Sequence, residues 1–278
     1  MKKTAKTLIV IAILIALIGI SAGAYFITVN AMSKKFNLVK ISTEGVPERN
    51  EDSLFDGFVQ LSEVNVHYVA IGEGYPLILV HGNAGSYKNL EDLGRYLATG
   101  YKVYMVDSRC HGQSTVTDKI SYDLMASDLK EFIDALGIEK PVVIGHSDGG
   151  INALVAAINY PDLLKGIVCF GANTNPKELK FYARLWTRID NLFKKSILND
   201  LMLNEPNITK EQLQSIKIPA YILAGEYDMI NLKDTVFIAN NIRYSRSAII
   251  KGEGHSSYVY NGKKSYNLVN DFLKDILR

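Results

Sequence analysis

The residues best placed to do chemistry stand in the run Val142-Val143-Ile144-Gly145-His146-Ser147-Asp148-Gly149-Gly150. It sets a serine between two glycines, G-x-S-x-G, after an apolar strand-like run and before a helical pattern, the context this motif requires. The reason is steric. A serine that lifts its hydroxyl clear of a sheet sits on a tight, strained turn. Side chains two positions to either side would collide with that turn, so Gly145 and Gly149 fit. A helix starting behind Ser147 also aims unsatisfied N–H groups at negative charge developing there. A serine hydroxyl is a weak nucleophile until a base takes its proton, so a histidine must serve it. Of the five histidines, His67 lies in an early hairpin pattern, His81 ends an apolar run, His111 sits in a loop, and His146 adjoins the serine with its side chain directed away. His255, in Gly252-Glu253-Gly254-His255-Ser256-Ser257 just past the last strand pattern, is the candidate base. A carboxylate must then hold the imidazole in the working tautomer. Gly225-Glu226-Tyr227-Asp228 offers two. Asp228 is preferred, because a turn must intervene before the acid can reach back to the histidine loop, and Glu226 is the second choice.

Acyl chemistry also needs donors for an oxyanion. The small-residue loop His81-Gly82-Asn83-Ala84-Gly85-Ser86 follows an apolar run, and the backbone N–H groups of Asn83 and Asp148 are the expected pair. Losing one such donor typically costs about 100–1000-fold in rate.

The elements that must hold these residues can be read from periodicity. Val64, Val66, Tyr68 and Ala70 alternate with polar residues and stop at Gly72-Glu73-Gly74, a hairpin-like entry into a sheet. Continuous apolar runs at 77–80, 103–106, 142–145, 166–170, 221–224 and 248–250 suit parallel strands covered on both faces. Helical spacing occupies 88–98, 122–136, 149–159, 232–241 and 263–277; in the second, Leu124, Leu129, Phe132, Ile133 and Leu136 share a side and Gly137 closes it. Such alternation predicts a mostly parallel sheet with helices on both faces. Residues 173–215 interrupt the rhythm with helical pieces near 181–193 and 197–203 and are expected to form a short helical lid. Its Tyr182, Leu185 and Trp186 would line an apolar acyl or alcohol pocket, plain packing being the other reading.

Composition narrows the partners. The 278 residues are 47% hydrophobic and 22% charged, with a net charge of +2, enough apolar content for a full core. Without the three lysines of residues 1–30, 28 basic residues face 29 acidic ones. No basic stripe for a phosphate backbone emerges, so nucleic acid is not an expected partner. Two cysteines, Cys110 and Cys169, are too few for a disulfide framework or a thiolate metal site. With no phosphate-binding glycine loop either, neither metal nor cofactor is expected.

Lys2, Lys3 and Lys6 precede an uncharged apolar run over 8–29, about the ~20 residues that a bilayer-crossing helix needs. Ala22-Gly23-Ala24 has the form of a signal cleavage site, but Tyr25-Phe26-Ile27 continues the apolar run past it. The expected organisation is a membrane anchor or signal segment over 1–30, a linker over 31–57 and a catalytic domain over 58–278. The lysines at the start favour an N-terminus inside, and Lys34, Lys35 and Lys40 after the run weaken that bias. The short tail with its α-amino charge tips the expectation to an anchored domain outside the cytoplasm, with secretion after cleavage as the alternative.

Taken together, the Ser147, Asp228 and His255 order, the elbow, the oxyanion loop and Asp107-Ser108-Arg109-Cys110-His111-Gly112-Gln113-Ser114 resemble the α/β-hydrolase superfamily. The nearer branch is that of small esterases, C–C bond hydrolases and proline iminopeptidases. The resemblance runs from about residue 58 to the C-terminus and departs at Cys110, where the family often has glycine. It implies an eight-stranded, mostly parallel sheet in the order 1-2-4-3-5-6-7-8. In that order the strand before Cys110 and the strand of Cys169 stand three places, roughly 14 Å, apart, beyond the ~7 Å limit for bridging, so both thiols are expected free. A serine nucleophile sets the chain apart from the dehalogenases and epoxide hydrolases of this superfamily, which use aspartate. The implied activity is hydrolysis of a carboxylic ester or related acyl bond in a small-molecule substrate through an acyl-enzyme. Acyltransferase, peroxidase or lyase chemistry on the same residues, or a non-catalytic binding role, are the alternatives.

Overall fold

The structure, a computed structural model, describes residues 36–278. The chain divides into two units, residues 1–38 and 39–278. The 8–29 run lies outside the described residues. The expectation of a membrane-anchored, extracytoplasmic catalytic domain, or of a secreted one, is corrected: among the described residues no helix is long and apolar enough to cross a membrane.

Nine strands form one sheet: β1 (Leu38–Val39), β2 (Phe55–Gln60), β3 (Asn65–Ile71), β4 (Tyr75–Val80), β5 (Tyr101–Val106), β6 (Val142–His146), β7 (Gly166–Phe170), β8 (Ala220–Tyr227) and β9 (Ser245–Gly254). Their spatial order is β1-β9-β8-β7-β6-β4-β5-β3-β2. Six strands from β5 through β4, β6, β7 and β8 to β9 run parallel, and the β2–β3 hairpin joins β5 antiparallel. Nine strands replace the expected eight because β1, two residues long at the edge, is too short to leave a periodic signal. From β2 onward the order agrees with the one the resemblance implies.

The central strands are apolar throughout because helices cover both faces. On one side α2 (Tyr122–Ala135), α3 (Asp148–Asn159) and α7 (Leu232–Asn241) bury Phe132, Ile151, Leu154 and Ile238 against the sheet; on the other, α1 (Glu91–Leu97) and α8 (Gly262–Ile276) bury Leu93, Leu97, Val269 and Leu273. Between β7 and β8 stand three helices, α4 (Phe181–Lys194), α5 (Ile197–Asn204) and α6 (Lys210–Ser215).

The loop after β5 locks the hairpin to the sheet. Asp107 is fully buried, bonding His67 Nδ1 at 2.8 Å and accepting from the N–H groups of Tyr87 and Gln113. Arg109 grips Asp128 of α2 with two bonds of 2.6 Å. Cys110 sits at φ 63°, so its position does require the left-handed backbone that glycine takes most readily. Both cysteines are free.

Candidate active site

Sheet register brings the chemistry together. Residues Val80 and Gly145 are paired neighbours, as are His146 and Phe170, and Tyr227 and Gly254. The carboxyl ends of β4, β6, β7, β8 and β9 therefore lie side by side, and the residues just past them can meet.

Ser147 occupies the turn between β6 and α3 at φ 53°, ψ −116°, a conformation that costs a non-glycine residue on the order of 1–3 kcal/mol. Its N–H donates to Phe170 O at 2.7 Å. The flanking glycines are obligatory. A Cβ on Gly145 would lie 2.1 Å from Gly149 O, and one on Gly149 2.0 Å from Val80 O. Gly82 packs directly beside the serine, its missing Cβ 3.0 Å from Ser147 Cβ.

Beyond β9, His255 Nδ1–H donates to Asp228 Oδ1 at 2.7 Å. Asp228 has no exposed surface and also accepts from the N–H groups of Gly225 (3.2 Å) and Ile230 (2.9 Å). Burial pushes its pKa up, but the imidazole's charge and these bonds outweigh burial and hold it below the usual carboxylate range. For His255 the balance also goes against burial. Desolvation lowers its pKa, while the charge and hydrogen bond of Asp228, with Asp148 farther off, raise it above the ordinary value. Glu226 turns elsewhere and accepts Gly252 N–H at 2.9 Å.

Asn83 and Asp148 are joined by their side chains. Asn83 Nδ2 donates to Asp148 Oδ2 at 2.9 Å and to Leu198 O of α5 at 3.1 Å. Burial raises the Asp148 pKa against the bonds from Asn83 and Tyr122. A cavity beside Ser147 is lined by Tyr122, Asn173, Leu179, Met202, Glu205 and Ile230 among others.

Tyr182, Leu185 and Trp186, expected to line this pocket, do not border that cavity. They are exposed on α4, because the buried positions of α4 are the small Ala183 and Thr187. The remaining histidines are tied into the scaffold. His81 Nδ1 donates to Gly82 O and its Nε2 accepts Ser108 N–H, while His146 Nε2 donates to His255 O at 3.0 Å. Among the described residues no group of three or more His, Cys, Asp or Glu side chains could hold a metal ion.

Gly171 was not singled out in the sequence and borders the site closely. A Cβ there would stand 2.7 Å from His255 Cε1 and 2.8 Å from Nδ1. A glycine directly after an apolar strand was the available signal. Nothing marked Glu205 or Met202, which reach the cavity through the path of the chain around α5.

Comparison with known proteins agrees with this architecture. Residues 75–201 match the family model described as alpha/beta hydrolase fold. The sn-1-specific diacylglycerol lipase ABHD11 of Danio rerio is 37% identical over 118 residues, covering 41% of this chain and 37% of that protein. The 2-hydroxy-6-oxo-6-phenylhexa-2,4-dienoate hydrolase of Comamonas testosteroni is 31% identical over 169 residues, 55% of this chain and 59% of its own. The chain thus spans between about a third and three fifths of the length of these relatives. A thermophilic esterase from Thermogutta terrifontis superposes with a TM-score of 0.66 at 18% identity, over 81% of this chain and 99% of that one. Fold, family model and relatives agree that this chain carries the alpha/beta hydrolase fold, and the relatives it matches are named as a lipase and a hydrolase.

Proposed function

We propose that the chain hydrolyses a carboxylic ester or related acyl bond of a small molecule, with Ser147 as nucleophile, His255 as base and then acid, and Asp228 as the group that orients the imidazole. The observation that carries this reading is the pairing of His255 with a fully buried Asp228 at the strand ends beside a serine held at φ 53°. Ser147 Oγ attacks the carbonyl carbon and passes its proton to His255. The proton then goes to the departing alcohol as the acyl-enzyme forms. Water, deprotonated by the same imidazole, attacks the acyl-enzyme and restores the serine. The backbone N–H groups of Asn83 and Asp148 receive the oxyanion, and the bond between their side chains keeps the two residues in register. The helices α4 to α6 form the lid, joined to the oxyanion loop where Leu198 O accepts from Asn83. The relatives are named as a diacylglycerol lipase and a 2-hydroxy-6-oxo-6-phenylhexa-2,4-dienoate hydrolase, and both names fit a pocket whose apolar lining includes Leu179, Met202, Met229 and Ile230.

A fluorophosphonate probe tests the nucleophile. It should label the wild-type chain and leave Ser147→Ala unlabelled. Labelling of both, or of neither, sinks the proposal. A panel of p-nitrophenyl esters of increasing chain length, run with and without a competing alcohol, then separates hydrolysis from acyl transfer: free acid should remain the dominant product.

A further inference from the structure

Helix α4 wears its apolar side outward. Ala183 and Thr187, one turn apart, are its buried residues. Away from them project Phe181, Leu185, Trp186, Ile189, Leu192 and Phe193, with 71% of Trp186 and 83% of Phe193 open to solvent. At 3.6 residues per turn these six side chains cover an arc of about 140°. A surface helix ordinarily turns such a stripe toward the core, and a contiguous exposed patch of this kind marks an interaction site.

Positive charge gathers around the same face. Arg184 and Arg188 stand one turn apart along one edge, with Lys177 before the helix and Lys195 after it. Residues 177–195 hold six Lys and Arg against two Asp and Glu, while 36–278 as a whole hold 26 against 29. A net acidic body thus carries a local excess of cations on and next to a helix that shows its apolar side, with Arg184, Arg188 and Lys194 on the helix itself. Two copies of α4 placed face to face would oppose like charges. The width of the stripe also exceeds the narrow seam that helix pairing uses. A broad apolar arc with Trp, Phe and Leu, edged by Arg and Lys, suits the plane of a lipid interface.

We propose that α4 docks on an anionic lipid surface, its apolar residues entering the boundary between headgroups and acyl chains and its flanking cations meeting the lipid phosphates. The proposal rests on α4 alone and stands apart from the chemistry assigned to Ser147.

Trp186 is the only tryptophan of the chain, so its emission reports this face and no other segment. The full chain is titrated with vesicles of phosphatidylglycerol and phosphatidylcholine, and separately with phosphatidylcholine alone. With the anionic vesicles the Trp186 emission should shift to the blue and be quenched by brominated acyl chains. Raising the salt should reverse both changes. Replacing two cations, Arg184→Gln with Arg188→Gln, should raise the lipid concentration at half-shift by about thirtyfold. Unchanged emission overturns the proposal even if the protein sediments with the vesicles through another segment. An equal shift on phosphatidylcholine alone overturns it as well. So does a blue shift without lipid that grows with protein concentration, the mark of a second copy on this face. Should the double variant fail to match the wild-type circular dichroism, the salt reversal on the wild type decides.

Discussion

Asp228 and Glu226 lie two positions apart at the end of one strand, yet their surroundings give them different work. The carboxylate of Asp228 accepts two backbone N–H groups and the imidazole of His255; that of Glu226 pins the backbone of Gly252. Asp228→Asn keeps the volume and removes the charge that holds the imidazole in one tautomer. Under the proposed mechanism its kcat should fall by roughly 10⁴, while Glu226→Gln, which still accepts from Gly252, should stay near wild type. The pH profile supplies an independent reading. His255 must be neutral to act as base, so kcat/KM rises as pH climbs through its pKa. That pKa lies above the ordinary value because the charge of Asp228 outweighs burial, so in Asp228→Asn the acidic limb should move to lower pH. A limb that stays in place would remove His255 from its assigned role.

At the scale of elements, the crossing of β8 and β9 decides whether acid and imidazole meet. The ladder shifts register between Gly225 and Tyr227, so that Tyr227 pairs with Gly254 and the next residue on each strand is Asp228 or His255. The crossing is possible only without a side chain at 225, where a Cβ would lie 2.4 Å from the carbonyl oxygens of both Glu253 and Gly254. Gly225→Ala should therefore push the end of β9 away. We expect a stability loss of about 1–3 kcal/mol by overpacking, seen in urea unfolding, and a fall in kcat much larger than the change in KM. Retained kcat would show that the strand ends are not what positions the imidazole. Much of this scale was legible beforehand. The serine elbow and the helices at 122–136 and 232–241 announced themselves by spacing, since each buries a full apolar face. Strand β9 was read as three residues and is ten, because its ends are polar and half exposed and only backbone pairing extends them. The outward face of α4 was misread for a related reason: periodicity shows that a helix has an apolar side, but not which neighbour, if any, receives it.

For the molecule as a whole, buried histidines contribute to how it meets acid. His146 is enclosed; burial first, and the charge of His255 second, lower its pKa to about 3, so it folds neutral. His81 follows the same logic, lowered to about 4 mainly by burial and then by His111. In the unfolded chain each would titrate near 6.5. Between that value and the folded pKa the unfolded state binds more protons, so each site contributes stability at neutral pH that is lost as pH falls. Asp228, lowered in the fold, acts in the same direction at lower pH, whereas His255, raised, acts in the opposite one near neutrality. The net curve sums opposing sites, so the informative quantity is a difference. His146→Gln can still donate to His255 O but cannot take up a proton. Above pH 6.5 the unfolding free energies of variant and wild type should run parallel. Below it the wild type should lose about 1.4 kcal/mol per pH unit relative to the variant, the slope of a single proton, until the pH nears 3. Urea unfolding at half-unit steps from pH 7.5 to 4.5, a range chosen at about the ordinary histidine value, measures this. Parallel curves throughout would mean that residue 146 is hydrated or charged in the native state, and the packing of the histidine pair behind the serine would have to be redrawn.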